Sequence, residues 1–155
     1  MSYNLIVIGS GPGGYVAAIR GSQLGMKVAI VEKESLGGVC LNWGCIPTKA
    51  LLKSAQVFDY VNHSTNYGIQ IKESSIDFKS IISRSRGVAD GMSKGVNYLM
   101  KKNKIDVLSG FGKIISKNEV EVIDDKNKMK LYKTDNIIIA TGGKSRELPN
   151  IKIDG

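Results

Sequence analysis

Six residues near the start, Gly9-Ser10-Gly11-Pro12-Gly13-Gly14, constrain this chain more than any other stretch. Asn4 to Ile8 precedes them, a short β-branched apolar run that predicts a strand buried on both faces. Tyr15 to Leu24 follows, predicting a helix closed by Gly25. Lys27 to Val31 then predicts a second buried strand, ending at Glu32. The spacing Gly9-x-Gly11-x-x-Gly14 has a mechanical meaning in that setting. Gly9 makes a tight turn, Gly11 lets a pyrophosphate approach the backbone, and Gly14 lets the helix pack closely on the strand. The helix N-terminus faces the phosphates. Glu32, 18 residues beyond Gly14, is placed to accept a hydrogen bond from a ribose hydroxyl, and its charge disfavours a phosphate on that ribose. A glycine loop by itself is often only a flexible loop. Strand, helix, second strand and acid together make dinucleotide binding the stronger reading.

The next stretch, Gly38-Val39-Cys40-Leu41-Asn42-Trp43-Gly44-Cys45-Ile46-Pro47-Thr48-Lys49, holds both cysteines of the chain. Residues five apart in a straight helix are separated by about 7.5 Å along the axis, whereas a disulfide tolerates Cα separations of roughly 4.4–6.8 Å. If Cys40 and Cys45 bridge, the segment between them is not ideal helix, and Asn42 and Gly44 are the residues that tolerate the turn. A helix beginning near Cys45 would aim its first amides at the sulfur and favour the thiolate. Taken alone, the pair is equally open to a structural or a metal half-site reading. A closed zinc site lacks ligands, since His63 is the sole histidine, and no metal is expected.

With 155 residues, 42% of them hydrophobic, the chain has the material for one domain with a real core. The net charge of +8 raises the question of nucleic acid. The lysines are scattered or gathered at turns, as in Lys101-Lys102 and Lys126 to Lys133, with few aromatics among them, so the charge reads as solvated surface and no nucleic-acid partner is expected. Leu5 to Ile8 is too short for a signal-peptide core, and no apolar run approaches membrane-spanning length, so the expectation is a cytoplasmic chain with no membrane contact.

Lys49 to Asn62 predicts a helix with Leu51, Leu52, Ala55, Phe58 and Val61 at three- and four-residue steps. Asn66 to Ile71 reads as extended. Asp77 predicts the N-cap of a long helix through Lys102, whose stripe of Phe78, Ile81, Ile82, Val88, Ala89, Met92, Val96, Leu99 and Met100 reads as core. Short strands are then predicted at Ile105 to Leu108, Phe111 to Ile115, Glu119 to Ile123 and Met129 to Tyr132, with a turn at Asp124 to Asn127. A final buried strand at Ile137 to Ala140 ends at Thr141-Gly142. The expected fold is α/β: a Rossmann-like domain over 1–143 with a central parallel sheet and a three-stranded antiparallel meander. Residues 144–155 read as the start of a linker.

The glycine turn, Glu32, the run from Gly37 to Leu52 and Ala140-Thr141-Gly142 together resemble the flavin-dependent pyridine nucleotide-disulfide oxidoreductases. Within that family, Ile46-Pro47-Thr48-Lys49-Ala50-Leu51-Leu52 is most similar to the branch that oxidises dihydrolipoyl groups; glutathione and mercuric reductases usually differ there. The resemblance implies non-covalent FAD, held by Gly9, Ser10, Gly11, Pro12, Gly13 and Gly14, by Glu32 with Lys33 beside it, and by Gly38 and Val39. It places Cys45 against the flavin ring, Cys40 toward the dithiol substrate, Lys49 near the ring's N5 side, Gly112 by the adenine, and Thr141 and Gly142 in a second flavin signature. Thiol–disulfide exchange at Cys40–Cys45, electron transfer to FAD and hydride transfer to NAD+ would follow. The parent's implied partners are a lipoyl-bearing acyltransferase or glycine-cleavage lipoyl protein and a second copy of itself.

Only one glycine fingerprint is present, and it serves FAD. The family also uses an NAD-binding domain and a histidine–glutamate base, and His63 stands in the wrong place for that base. The chain is therefore expected to be the flavin-binding segment, inactive alone. The alternatives are a stand-alone flavin and dithiol electron carrier or another flavin disulfide reductase.

Overall fold

Ser2–Ile8 (β1) pairs in parallel with both Val28–Glu32 (β2) and the second half of Met129–Ile139 (β6). In the computed structural model, which describes residues 2–144 and 146–151, these strands lie at the centre of a six-stranded sheet. Asp106–Ser109 (β3) adds in parallel to β2 at one edge. Glu119–Ile123 (β5) and Phe111–Ser116 (β4) continue antiparallel from the first half of β6, giving the order β3-β2-β1-β6-β5-β4. The expected parallel sheet and three-stranded meander are both present.

The unbroken apolar character of β1 and β2 has its cause in two cores. Leu5, Val7, Val28 and Ile30 pack with Ala18 of Pro12–Gln23 (α1), Leu41 of Gly38–Asn42 (α2), and Val96 and Met100 of Phe78–Lys102 (α4). Ile6, Ile8, Ala29 and Val31 pack with Val120 and Val122 of β5. Helices cover one face of β1 and β2 and the meander folds over the other, so their apolar side chains are buried on both faces. Gly112 marks how tightly β4 lies down: a Cβ there would stand 3.1 Å from both Ile8 and Val31 side chains.

Several boundaries differ from expectation. The helix α1 begins at Pro12, the first-turn position where a missing N–H costs nothing, and Gly25 follows its end in a left-handed conformation. Cys45–Asn62 (α3) begins at Cys45, as expected. Asn66 to Ile71 is not extended: Ser64–Tyr67 is a 3-10 turn closed by Gly68 at φ 71°. Met129 to Ala140 does not hold two strands. β6 runs unbroken through Thr134-Asp135-Asn136 because Thr134 is buried and Asn118 holds the chain there, donating from Nδ2 to the carbonyls of Thr134 and Asp135.

The cap at Asp77 is as predicted, accepting from the Ser80 amide and hydroxyl. Those bonds hold its carboxyl below the usual aspartate range. The long stripe on α4 is core only toward the C-terminal half, at Ala89, Val96 and Met100. Phe78, Ile82 and Met92 are exposed; α4 also packs on α3, where Arg84 donates to the Ala50 carbonyl at 2.8 Å. Leu52 and Phe58 on α3 are likewise exposed, as are Ile138 and Ile139 at the end of β6, which was expected to be buried. The expected linker, 144–155, includes residues 145 and 152–155, which lie outside the described residues; Leu148 and Ile151 form a small bridge within it.

Tyr3, 2% exposed, donates its hydroxyl to Asp106 Oδ2 at 2.9 Å and so ties β1 to β3. Burial first, then the Asp106 hydrogen bond and charge, push its pKa from 10.0 to about 12. The folded state thus holds this proton more tightly than the unfolded chain does. Its stabilisation is whole below the unfolded value and is lost as pH rises through the folded one. Unfolding free energy measured by urea titration should therefore fall between pH 10 and 12 by on the order of 2 kcal/mol from this group, and Tyr3→Phe should flatten that decline.

Candidate functional site

The carboxyl ends of β1, β2 and β6 open onto one cavity of about 480 Å³. Ile8 and Gly9 reach it from β1, Val31 and Glu32 from β2, and Ala140 and Thr141 from the end of β6. This is where open parallel sheets bind ligands, in the crevice beyond the strand ends.

Three backbone segments meet at the cavity floor with no side chain between them. Gly9 has φ 97°, and a Cβ on it would stand 2.3 Å from the Ala140 carbonyl oxygen. A Cβ on Gly14 would stand 1.9 Å from the Gly9 carbonyl oxygen. Gly11 differs, since its missing Cβ faces open space. That is the cradle a phosphate needs, a bare backbone at the start of α1, whose first turn carries no acidic residue. Gly38, at φ 61°, approaches Gly11 so closely that a Cβ would meet its Cα at 2.7 Å.

Ser10 is fully buried, and its side chain organises the loop. Its hydroxyl donates to Glu32 Oε2 at 2.5 Å and accepts from the Gly37 amide at 3.3 Å; its own amide donates to the same Glu32 oxygen at 3.0 Å. The other oxygen of Glu32 accepts from the Glu34 amide at 2.9 Å. The acid is thus fixed by the protein, with one lone pair of Oε1 left for an outside donor. Lys33 pairs with Glu34 at 3.4 Å on the exposed rim.

Cys40 sits inside the short helix α2, which no sequence pattern announced, and Cys45 is the first residue of α3. Trp43 and Gly44 break the helix between them, so the path is not ideal helix, as a bridge requires. The expected role of Asn42 is corrected. It sits within α2, away from left-handed angles, and its side-chain amide donates to the carbonyls of Leu36 at 3.1 Å and Gly38 at 2.9 Å. Cys40 is half-buried and Cys45 exposed, both as free thiols, and the backbone turns back tightly between them: a Cβ on Gly44, next to Cys45, would stand 3.3 Å from the Cys40 Cα. The helix α3 offers the amides of Cys45 and Ile46, which have no i−4 partner, while Pro47 has no N–H to satisfy.

The cavity is lined by Gly9, Ser10, Gly11 and Pro12, by Glu32 and Lys33, by Gly38, Val39 and Cys40, and by Gly112, Thr141 and Gly142. Gly14 is buried behind the turn while Gly13 is exposed, and Gly13, Gly14, Cys45 and Lys49 all lie outside this lining. Two aromatic wall residues carried no sequence-level assignment: Trp43, 52% exposed, and Phe111, 57% exposed. Trp43 lies inside the cysteine stretch and Phe111 directly before Gly112, so adjacency to assigned residues was the available signal. Among the described residues no cluster of three or more metal-ligating side chains occurs, and no helix is long and apolar enough to cross a membrane.

A glycine turn at parallel strand ends with an acid fixed beside it, Cys40 on the cavity wall and Cys45 across the helix break is the arrangement of a nucleotide-binding α/β domain. A family model described as pyridine nucleotide-disulphide oxidoreductase matches residues 3–155, and the chain belongs to that family. Similar curated proteins include the dihydrolipoyl dehydrogenases of Rhizobium etli, 49% identical over 99% of this chain and 35% of theirs, of Zymomonas mobilis, 48% identical over 99% and 33%, and of Acholeplasma laidlawii, 49% identical over 97% and 44%. The chain thus spans between about a third and a half of the length of these relatives.

The glycines separate fold from ligand. Gly14→Ala should destabilise the domain by about 2 kcal/mol or more, since the intruding methyl meets backbone that cannot yield. Gly11→Ala should stay within about 0.5 kcal/mol of the parent yet lose nucleotide binding. Paired urea melts and ligand titrations of the two variants read this directly.

Proposed function

We propose that this chain is the FAD-binding part of a dihydrolipoyl dehydrogenase, with residues 1–143 as the flavin unit and 144–155 as the start of a linker. The observation that carries the reading is the common cavity: the bare backbone at Gly11, the fixed carboxylate of Glu32 and the thiol of Cys40 all lie on its wall. The names of the similar proteins supply the substrate class.

The residues fit the cofactor. The turn at Gly9–Gly11 and the first amides of α1 would take the pyrophosphate, and the free lone pair of Glu32 Oε1 would take one adenosine ribose hydroxyl. Bound FAD would supply a two-electron acceptor that passes hydride on to NAD+. Cys45, exposed at the start of α3, would face the flavin, with Lys49 one turn further along. Cys40 would exchange with the substrate dithiol: one substrate thiolate would attack the Cys40 sulfur and Cys45 would leave as a thiolate, then the second substrate thiolate would close the oxidised lipoyl ring and release Cys40, one substrate proton going to Cys40 and the other to solvent. The free amides of Cys45 and Ile46 would stabilise the thiolate left behind.

In this reading the NAD+ site lies in parts of the enzyme beyond these 155 residues, and turnover needs them. A homodimer, a lipoyl-bearing acyltransferase or glycine-cleavage lipoyl protein as partner, and a cytoplasmic setting belong to the same proposal.

Trp43, the single tryptophan, lies on the cavity wall and reports occupancy. FAD should quench its fluorescence and bind at least tenfold more tightly than FMN, which lacks the adenosine that Glu32 would hold. Dihydrolipoamide should then bleach the flavin of the loaded chain but not of its Cys45→Ser variant. Absence of quenching by FAD in a chain shown folded by circular dichroism would end the cofactor assignment.

A further inference from the structure

The helix that grips the cysteine turn carries no cofactor motif. α4 reaches the segment around Cys40 through two side chains on one face, Arg86 and Ser93. The Arg86 guanidinium donates to the carbonyl oxygen of Asn42 at 2.9 Å, at the end of α2. The Ser93 hydroxyl donates to the carbonyl oxygen of Leu36 at 2.9 Å, just ahead of α2. Seven residues on a helix are two turns, about 10 Å along its axis, and the bracketed segment, Leu36 to Asn42, has Cys40 inside it. The buried Asn42 side chain closes the bracket internally by donating to Leu36 and Gly38. Among the described residues Arg86 has no carboxylate within ion-pair distance, so its contact here is with a backbone carbonyl rather than with a charged partner.

We propose that Arg86 and Ser93 are positioning residues for the dithiol: by clamping both ends of the Cys40 turn to α4 they hold Cys40 against Cys45 and so set the stability of the disulfide. The inference rests on reading Cys40 and Cys45 as a redox pair. The physical argument concerns effective concentration. Two thiols held together oxidise readily, because closing the ring costs little further order. A turn freed at one end samples geometries in which the sulfurs are apart, and the reduced state gains.

The test is equilibration with glutathione, which needs neither flavin nor turnover. Cys40–SH and Cys45–SH with one glutathione disulfide give the protein disulfide and two glutathione thiols. The oxidised fraction is read by thiol alkylation and mass. In the 155-residue chain, Arg86→Gln and Ser93→Ala should each lower the equilibrium constant for disulfide formation about three- to tenfold, the worth of one hydrogen bond. Lys94→Gln, a neighbouring change at a side chain with no contact to the turn, should leave it unaltered. The shift should persist in 1 M salt, where a mere effect of the arginine charge would be screened. Ser93→Ala is a mild change, so it decides the matter if Arg86→Gln fails to fold. Unchanged equilibria in folded variants, or a shift that vanishes in salt, would overturn the clamp. A wild-type chain that forms no disulfide at any glutathione ratio would instead overturn the redox pair beneath it.

Discussion

Backbone meeting backbone is the constraint on which this structure rests. The end of β1, the start of α1 and the end of β6 converge at Gly9, Gly14 and Ala140 with no room for one added methyl group. That convergence brings α1 down onto the sheet with its N-terminus facing the cavity. It also leaves the opposite face of the turn bare at Gly11. Close packing behind the turn and open space in front of it have one cause, and a binding cavity at the strand ends follows.

The cavity wall is then completed by polar contacts over long stretches of chain. Ser10 reaches Glu32 and Gly37 and joins the glycine turn, the second strand and the loop that leads to Cys40. A buried hydroxyl of this kind contributes modestly as a bond but leaves costly unpaired groups if removed. The cysteine turn is held from the far side by α4. One scaffold therefore holds two ends of the same cavity wall, the glycine turn through the sheet and the cysteine turn through a helix. Loops that carry chemistry sit on rigid elements for this reason.

Surface is left over from this arrangement. α3 and α4 pack on each other while Leu52, Phe58, Phe78 and Met92 stay exposed. The end of β6 keeps Ile138 and Ile139 exposed in the same way. Helical periodicity reports that a face is apolar; it does not report what covers it.

The order strand, glycine turn, helix, strand and acid was legible in the sequence, as were the cap at Asp77, the turn at Asp124 to Asn127 and the helix break between the cysteines. All of these are written in residues close along the chain, where backbone sterics and local hydrogen bonds decide the outcome. The tertiary structure alone decided the rest. β6 is continuous because Asn118, sixteen residues earlier, satisfies Thr134. Ser10 fixes the acid at Glu32, 22 residues away, and Arg86 holds Asn42 across 44. No local pattern encodes such partners, because a serine or arginine that will be buried against a distant carbonyl looks, in sequence, like one that faces water.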